Sequence, residues 1–173
     1  MVTRREPAQP KASRPYMPGY GIPEARKGLL PWRWAEQRLK KSHNYWISTV
    51  KPDGAPHTMI VWGLWLDGIF CFSTGRQSRK ARNLAENPRC IICTERADEA
   101  VIVEGKVQEV RERAHIVSFI QKYERKYNWD MAPYEEALYQ HKDPLYSVHP
   151  RTVFALFEKK FMSAATRWKF EGA

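Results

Sequence analysis

Between Ser73 and Lys80 the chain reads Ser-Thr-Gly-Arg-Gln-Ser-Arg-Lys, three hydroxyls and three cations with no acid among them. Residues of these types bind anions. Ser78-Arg79-Lys80 opens a helix directly after a strand, so free backbone N–H groups, the positive end of the helix dipole and two side-chain cations converge on one point. A phosphate fits such a point. On these residues alone a second reading stays open, in which Arg79, Lys80 and Arg82 form only the solvated face of a short helix.

Other residues with chemical potential carry less. Cys90-Ile91-Ile92-Cys93 has the spacing of a redox or zinc pair, but on a strand the two thiols point to opposite faces, so core cysteines are expected. His43, His57, His115, His141 and His149 show no metal-ligand spacing. No metal site is expected, and a haem ligand is the one alternative kept for the histidines. Glu95, Asp98 and Glu99 read as a solvated turn. No side chain stands out as a catalytic group.

The phosphate-type segment needs a strand before it and a helix after it, and both are legible. Tyr45–Val50 and Thr58–Leu66 are rich in β-branched and aromatic residues and flank Pro52-Asp53-Gly54. Asp67-Gly68 then turns the chain into Ile69–Ser73, giving three successive antiparallel strands. Ala81, Leu84 and Ala85 share one helical face, Ser78 caps that helix and Asn87-Pro88 ends it. Strands follow at Cys90–Thr94 and Ala100–Val110, the second alternating Val101, Val103, Gly105 and Val107 against mostly polar residues. A charged amphipathic helix spans 111–127, and 128–150 is looser. Strands at Thr152–Phe157 and Ala164–Phe170 close the chain. Upstream, Pro31, Trp32, Ala35 and Leu39 mark a short amphipathic helix. The expected fold is mainly β: six or seven antiparallel strands in a closed or nearly closed split barrel with flanking short helices.

The 173 residues suit one domain, expected at 24–173, preceded by a basic, Pro-rich arm at 1–23. The formal charge of +10 is uneven: residues 1–41 hold ten Lys and Arg against three acids. A basic arm on a nearly neutral domain is more often a solvated tail than a nucleic-acid contact, and no zinc-finger spacing or aromatic RNA-binding motif is present. No window is apolar enough for a membrane span or a secretory signal, and three cysteines agree with a reducing compartment; a cytoplasmic protein is expected.

The order of these motifs resembles a known family. Phe70-Cys71-Phe72-Ser73-Thr74, the run Ser78-Arg79-Lys80-Ala81-Arg82-Asn83-Leu84-Ala85-Glu86-Asn87-Pro88-Arg89 and Val101-Ile102-Val103-Glu104-Gly105-Lys106-Val107 are similar to the pyridoxamine-phosphate-oxidase-like split-barrel flavoproteins. The likeness covers roughly residues 44–112, with Ala165–Phe170 similar to the closing strand of an actinobacterial-type branch. It implies a homodimer with cofactor at the subunit interface. Ser73 and Thr74 would contact the phosphate and ribityl region of the flavin, with Ser78, Arg79 and Lys80 on its phosphate. Ile60, Val61 and Trp62 would run along the ring, and Arg167 with Trp168 would either close over the partner's cofactor or finish the barrel. Three positions depart from the true oxidases: Thr58, Gly63 and Ala100 stand where an Arg, a Lys and a Gln are found. Oxidation of pyridoxamine phosphate is therefore not expected. The closer likeness is to the flavin and deazaflavin oxidoreductases, implying hydride transfer to or from a small molecule by FMN, or alternatively by the deazaflavin coenzyme F-420. The other reading is a non-catalytic flavin, deazaflavin or haem carrier on the same fold.

Overall fold

The computed structural model describes residues 10–170; the first nine residues of the predicted arm lie outside the described residues. In chain order the elements are β1 (Lys11–Ser13), α1 (Trp32–Lys41), β2 (Tyr45–Val50), β3 (Pro56–Val61), β4 (Leu64–Leu66), β5 (Ile69–Ser73), α2 (Arg79–Glu86), β6 (Arg89–Thr94) and β7 (Glu99–Glu109). Then come α3 (Arg113–Tyr127), α4 (Ala132–Tyr139), β8 (Leu145–Phe157), a 3-10 turn at Glu158–Lys160, α5 (Phe161–Ala164) and β9 (Thr166–Lys169).

Local chemistry accounts for most of the boundaries. Ala35 and Leu39, four apart on α1, are both fully buried. In β2 the residues Tyr45, Ile47 and Thr49 point inward while Trp46 and Val50 point out, the period-two pattern of a strand with one wet face. Asp67 and Gly68 join β4 to β5 with φ values of 48° and 86°, the two left-handed residues of a tight hairpin. Ser78 caps α2, its Oγ accepting the N–H of Ala81 at 3.3 Å.

The strands pair antiparallel in the order β1-β9-β8-β7-β6-β2-β3, and β5 adds to β8 while also pairing β4. The thirteen-residue β8 makes this branching possible. Its first part, Leu145–Val148, pairs β5, and its later part, Thr152–Ala155, pairs β9, while β7 lies along its other edge. The exchange of partners brackets Pro150, which has no N–H to give a ladder. Between Pro150 and Thr152 the strand β8 carries one extra residue, Arg151, opposite Glu104 and Gly105 of β7, where a Cβ on Gly105 would stand 2.6 Å from the His149 carbonyl oxygen.

The sheet wraps a main core that includes Tyr45, Ile47, Phe70, Phe72, Ile92, Val103 and Trp168. A second core forms where α3 and α4 cover the outside of β4, β5 and the start of β8, built on Leu64, Cys71, Ile116, Phe119, Leu138 and Leu145. β5 is thus buried on both faces, and Ser73, at its end, emerges beside the helical layer.

The architecture is the mainly β split barrel read from the sequence, with corrections. The described residues contain nine strands rather than six or seven, and the sheet is not closed. The single strand expected at 58–66 breaks at Trp62-Gly63 into β3 and β4, which do not pair with each other. β8 begins at Leu145 rather than Thr152, because pairing to β5 and β7 overrides the loop-like signal of Pro144 and Pro150. The segment read as a solvated arm pairs with β9 through β1, and Arg14 ties it down. The Arg14 guanidinium donates to four carbonyls, those of Ala25, Lys27, Ser163 and Ala165, at 2.7 to 3.0 Å. No helix of the described residues is long and apolar enough to cross a membrane.

Candidate functional site

The turn from β5 into α2 is held by its own hydrogen bonds. Ser78 N–H donates to the Gly75 carbonyl at 2.9 Å, and the hydroxyls of Thr74 and Ser78 lie 3.2 Å apart. Ser73 Oγ and Thr74 N–H both donate to the Pro144 carbonyl, at 3.2 and 3.4 Å, which fixes the strand end against the start of β8. Arg79 and Lys80 occupy the first helical positions, with Arg79 exposed and Lys80 half-buried. Neither has an acidic partner among the described residues. Desolvation alone holds the Lys80 ammonium below the ordinary lysine value, because no anion compensates its partial burial.

β3 lies at the other end of the sheet and pairs only with β2, so its second edge offers backbone donors and acceptors. Ile60 points outward and is 49% exposed, whereas the Val61 side chain is buried and only its backbone is available. Trp62, at the break, is held on several sides. Its indole Nε1 donates to Asn44 Oδ1 at 3.0 Å, and its ring stacks on Tyr127 at 4.6 Å with planes 4° apart. The following peptide, Gly63, is clamped by α3: its N–H donates to Tyr127 Oη at 2.8 Å, and its carbonyl accepts from Lys126 Nζ at 3.0 Å. Lys126 Nζ also donates to Tyr45 Oη at 2.8 Å. Burial pushes the Lys126 ammonium down to about 8, against a smaller opposing pull from Glu95. The Asn44 partner is positioned in turn by the Glu95 carboxylate, which accepts from the N–H groups of His43 and Asn44 and from Asn44 Nδ2 at 2.8 to 3.2 Å.

Trp62 and the Ser73-Thr74-Gly75 segment meet in one cleft of about 340 Å³. Tyr123, Trp129 and Tyr134 complete an aromatic lining with Trp62, Met131 and Leu138 add apolar surface, and Asp143 is the charged member. The structure therefore brings Trp62, Ser73 and Thr74 together. Ser78, Arg79 and Lys80 continue from that cleft along α2 without lining it, and Ile60 and Val61 lead into it along β3. Arg167 and Trp168 are elsewhere. Arg167 is half-buried on β9, its Nε donating to Ser13 Oγ at 3.1 Å, and the Trp168 ring is 1% exposed, packed 5.4 Å from Trp32 in the main core. Trp168 is thus a core residue of β9.

The aromatic residues of 123–134 escaped the sequence reading. Tyr123 and Tyr127 fit a helical stripe and so looked like ordinary core, while Trp129 and Tyr134 fell in a stretch without a pattern. The available signal was the density of aromatics among charged residues there. Trp62 and Trp65, expected on one strand, are separated by the break: Trp62 enters the cleft while Trp65 is buried near Trp32 at 6.1 Å. Cys90 is buried with its thiol pushed up to about 12 by desolvation, and Cys93 is only half-buried. Among the described residues no three or more of His, Cys, Asp and Glu assemble as a metal site.

This open antiparallel sheet, with a capped turn leading from β5 into α2 and α3 and α4 covering one face, has the architecture of a split-barrel protein. A family model for pyridoxamine 5'-phosphate oxidase matches residues 34–157, and the chain belongs to that family. Among solved structures it resembles an F420 reductase, at 22% identity and a TM-score of 0.56 over 68% of this chain and 94% of that one. A conserved hypothetical protein from Mycobacterium tuberculosis is similar at 21% identity and a TM-score of 0.66, over 76% of this chain and 87% of its own. A pyridoxamine 5'-phosphate oxidase-related, FMN binding protein from Nostoc punctiforme aligns at 16% identity and a TM-score of 0.54, over 75% and 85% of the two chains. No curated protein sequence matches the chain.

Proposed function

We propose that this protein is an oxidoreductase that binds FMN or a deazaflavin by its phosphate and passes hydride to or from a small molecule. The observation that carries the reading is the pair Arg79 and Lys80, cations at a capped helix N-terminus with no acidic partner among the described residues, beside the Ser73 and Thr74 hydroxyls. That donor set fits a phosphate monoester or diester. When bound, the ring would supply the hydride chemistry. The protein's own part is to seat the phosphate on Ser78, Arg79 and Lys80, to offer the free edge of β3 at Ile60–Trp62 to the polar side of the ring, and to hold Trp62 still.

The substrate is not expected to be pyridoxamine phosphate. Thr58 hydrogen-bonds Ser48 at 2.9 Å, and position 63 has no room for a lysine, since even a Cβ would meet Phe70 Cζ at 2.3 Å. The reading includes a homodimer with the cofactor at its interface. It is supported by the outer face of the sheet, where Ile60, Trp46, Cys93, Ile102 and Phe154 lie in register across five neighbouring strands and Trp46 and Ile60 are 44% and 49% exposed.

Binding measured by fluorescence or calorimetry is expected to show FMN or a deazaflavin held by the wild-type protein. Lys80→Ala should weaken it by about 1.5 to 3 kcal/mol, the worth of a charge-assisted hydrogen bond. Unchanged affinity in that variant would remove the phosphate assignment. A bound cofactor that no nicotinamide or deazaflavin donor reduces would favour a non-catalytic carrier instead.

A further inference from the structure

The aromatic cleft between the end of β5 and the α3–α4 turn has features that phosphate binding does not use. Trp62 and Tyr123 are packed on one side, but Trp129 and Tyr134 are 46% and 45% exposed. Trp129 stands edge-on to Trp62 at 5.9 Å and 79°, and Tyr123 lies 6.4 Å from Trp62 at 49°, so ring surfaces of different orientation border one space.

The turn that presents these rings is braced. Asn128 takes a left-handed φ of 48°, Glu124 accepts the Met131 N–H at 3.1 Å, and Asp130 accepts the Ala132 N–H at 2.9 Å. Two nearby carboxylates are thus committed to backbone. Asp143 is not, and its carboxylate makes no ion pair or hydrogen bond among the described residues. Arg76 is near enough to feel its charge, but that guanidinium is engaged by Glu109 at 2.9 Å and by the His141 carbonyl. The cleft therefore combines aromatic faces with one uncompensated carboxylate, on a chain whose formal charge is +10. Ring quadrupoles and a carboxylate both attract cations, and both repel an anionic ligand.

We infer that this cleft binds a small, flat organic cation, an aromatic or alkylated amine or amidine, with Asp143 facing the charge and Trp62, Tyr123, Trp129 and Tyr134 around the ring. A volume of about 340 Å³ is at the small end of ligand sites and suits a single-ring molecule. The role of this cation as substrate rests on the oxidoreductase reading above; the binding itself does not.

Benzamidine, benzamide and benzoate share one ring and nearly one size while differing in charge, which makes them the probes of choice. Their binding is read from saturable shifts of the Trp62 and Trp129 indole N–H resonances. Benzamidine is expected to bind about tenfold more tightly than benzamide, with benzoate weakest. Asp143→Asn should reduce the preference for benzamidine to about threefold or less, and Trp129→Ala should weaken both benzamidine and benzamide. Equal binding of benzamidine and benzamide, tighter binding of benzoate, or a preference that survives Asp143→Asn would overturn the inference. Lys80→Ala should keep benzamidine binding while weakening cofactor binding, and loss of benzamidine there would also overturn it. A wild-type protein that binds benzamidine but neither FMN nor a deazaflavin would support the cation site and remove the oxidoreductase reading.

Discussion

Gly63 marks the break between β3 and β4. The Phe70 ring and the Cys71 carbonyl fill the space where a side chain would begin, with contacts of 2.3 and 2.7 Å to an ideal Cβ. Its N–H and carbonyl are held by Tyr127 and Lys126. A glycine that looks like a missing cation in the sequence is, in the fold, the point where β3 gives way to β4. Gly63→Ala is expected to cost about 2 kcal/mol or more of stability through overpacking, measured by denaturant unfolding. A variant as stable as the wild type would mean that the strand break is not under this steric control. Lys80 is the counterpart, a half-buried cation that has no acidic partner among the described residues.

At the scale of elements, α3 both covers the sheet and sets the strand break. Its inward stripe, Ile116, Phe119 and Ile120, is buried against β4 and β5, and its last turn sends Lys126 and Tyr127 to Gly63 and Tyr45. The lowered Lys126 value, about 8 against 10.5 for an ordinary lysine, fixes the sign of a pH effect. Below about 8 the group is protonated folded or unfolded. Between 8 and 10.5 the unfolded chain binds more protons than the folded one, so this group adds stability as pH rises through that window. Tyr123, Tyr127 and Tyr45, all raised first by burial, act in the opposite direction only above their ordinary value of 10. Unfolding free energy measured from pH 8 to 10 should therefore rise less steeply in Lys126→Met than in the wild type. Identical slopes would show that the lysine is not desolvated by α3 packing.

At the scale of the whole molecule, the outer face of the sheet bears on assembly. Trp46, Ile60 and Ile91 are 44%, 49% and 36% exposed on adjacent strands, an apolar patch that a lone soluble chain rarely leaves uncovered. Sedimentation should find the wild-type protein dimeric and a Trp46→Glu/Ile91→Lys double variant monomeric with its fold intact by circular dichroism. The same variant should lose cofactor if the site is completed across the interface. A monomeric wild-type protein would remove that face from the assembly. The segment around β1 belongs to this scale too: it adds to β9 as the edge strand on that side of the sheet, and Arg14 bonds it to residues 25–27 and to 163–165.

The amino-acid sequence by itself determined the strands and helices whose residues carry their own pattern: the alternation of β2 and β7, the Asp67-Gly68 turn, the Ser78 cap of α2. It also offered a candidate anchor, because Ser73, Thr74, Ser78, Arg79 and Lys80 fall within eight residues and their chemistry is local. The tertiary structure alone decided where the sheet breaks, that β8 starts before Pro150, and that Trp168 faces inward. It alone brought Tyr123, Trp129, Tyr134 and Asp143 to the Trp62 end of β3. Those outcomes depend on partners far away in sequence, on the Phe70 ring behind Gly63, on β5 beside Leu145 and on Trp32 against Trp168. Contacts of that kind leave no period along the chain from which they could be read.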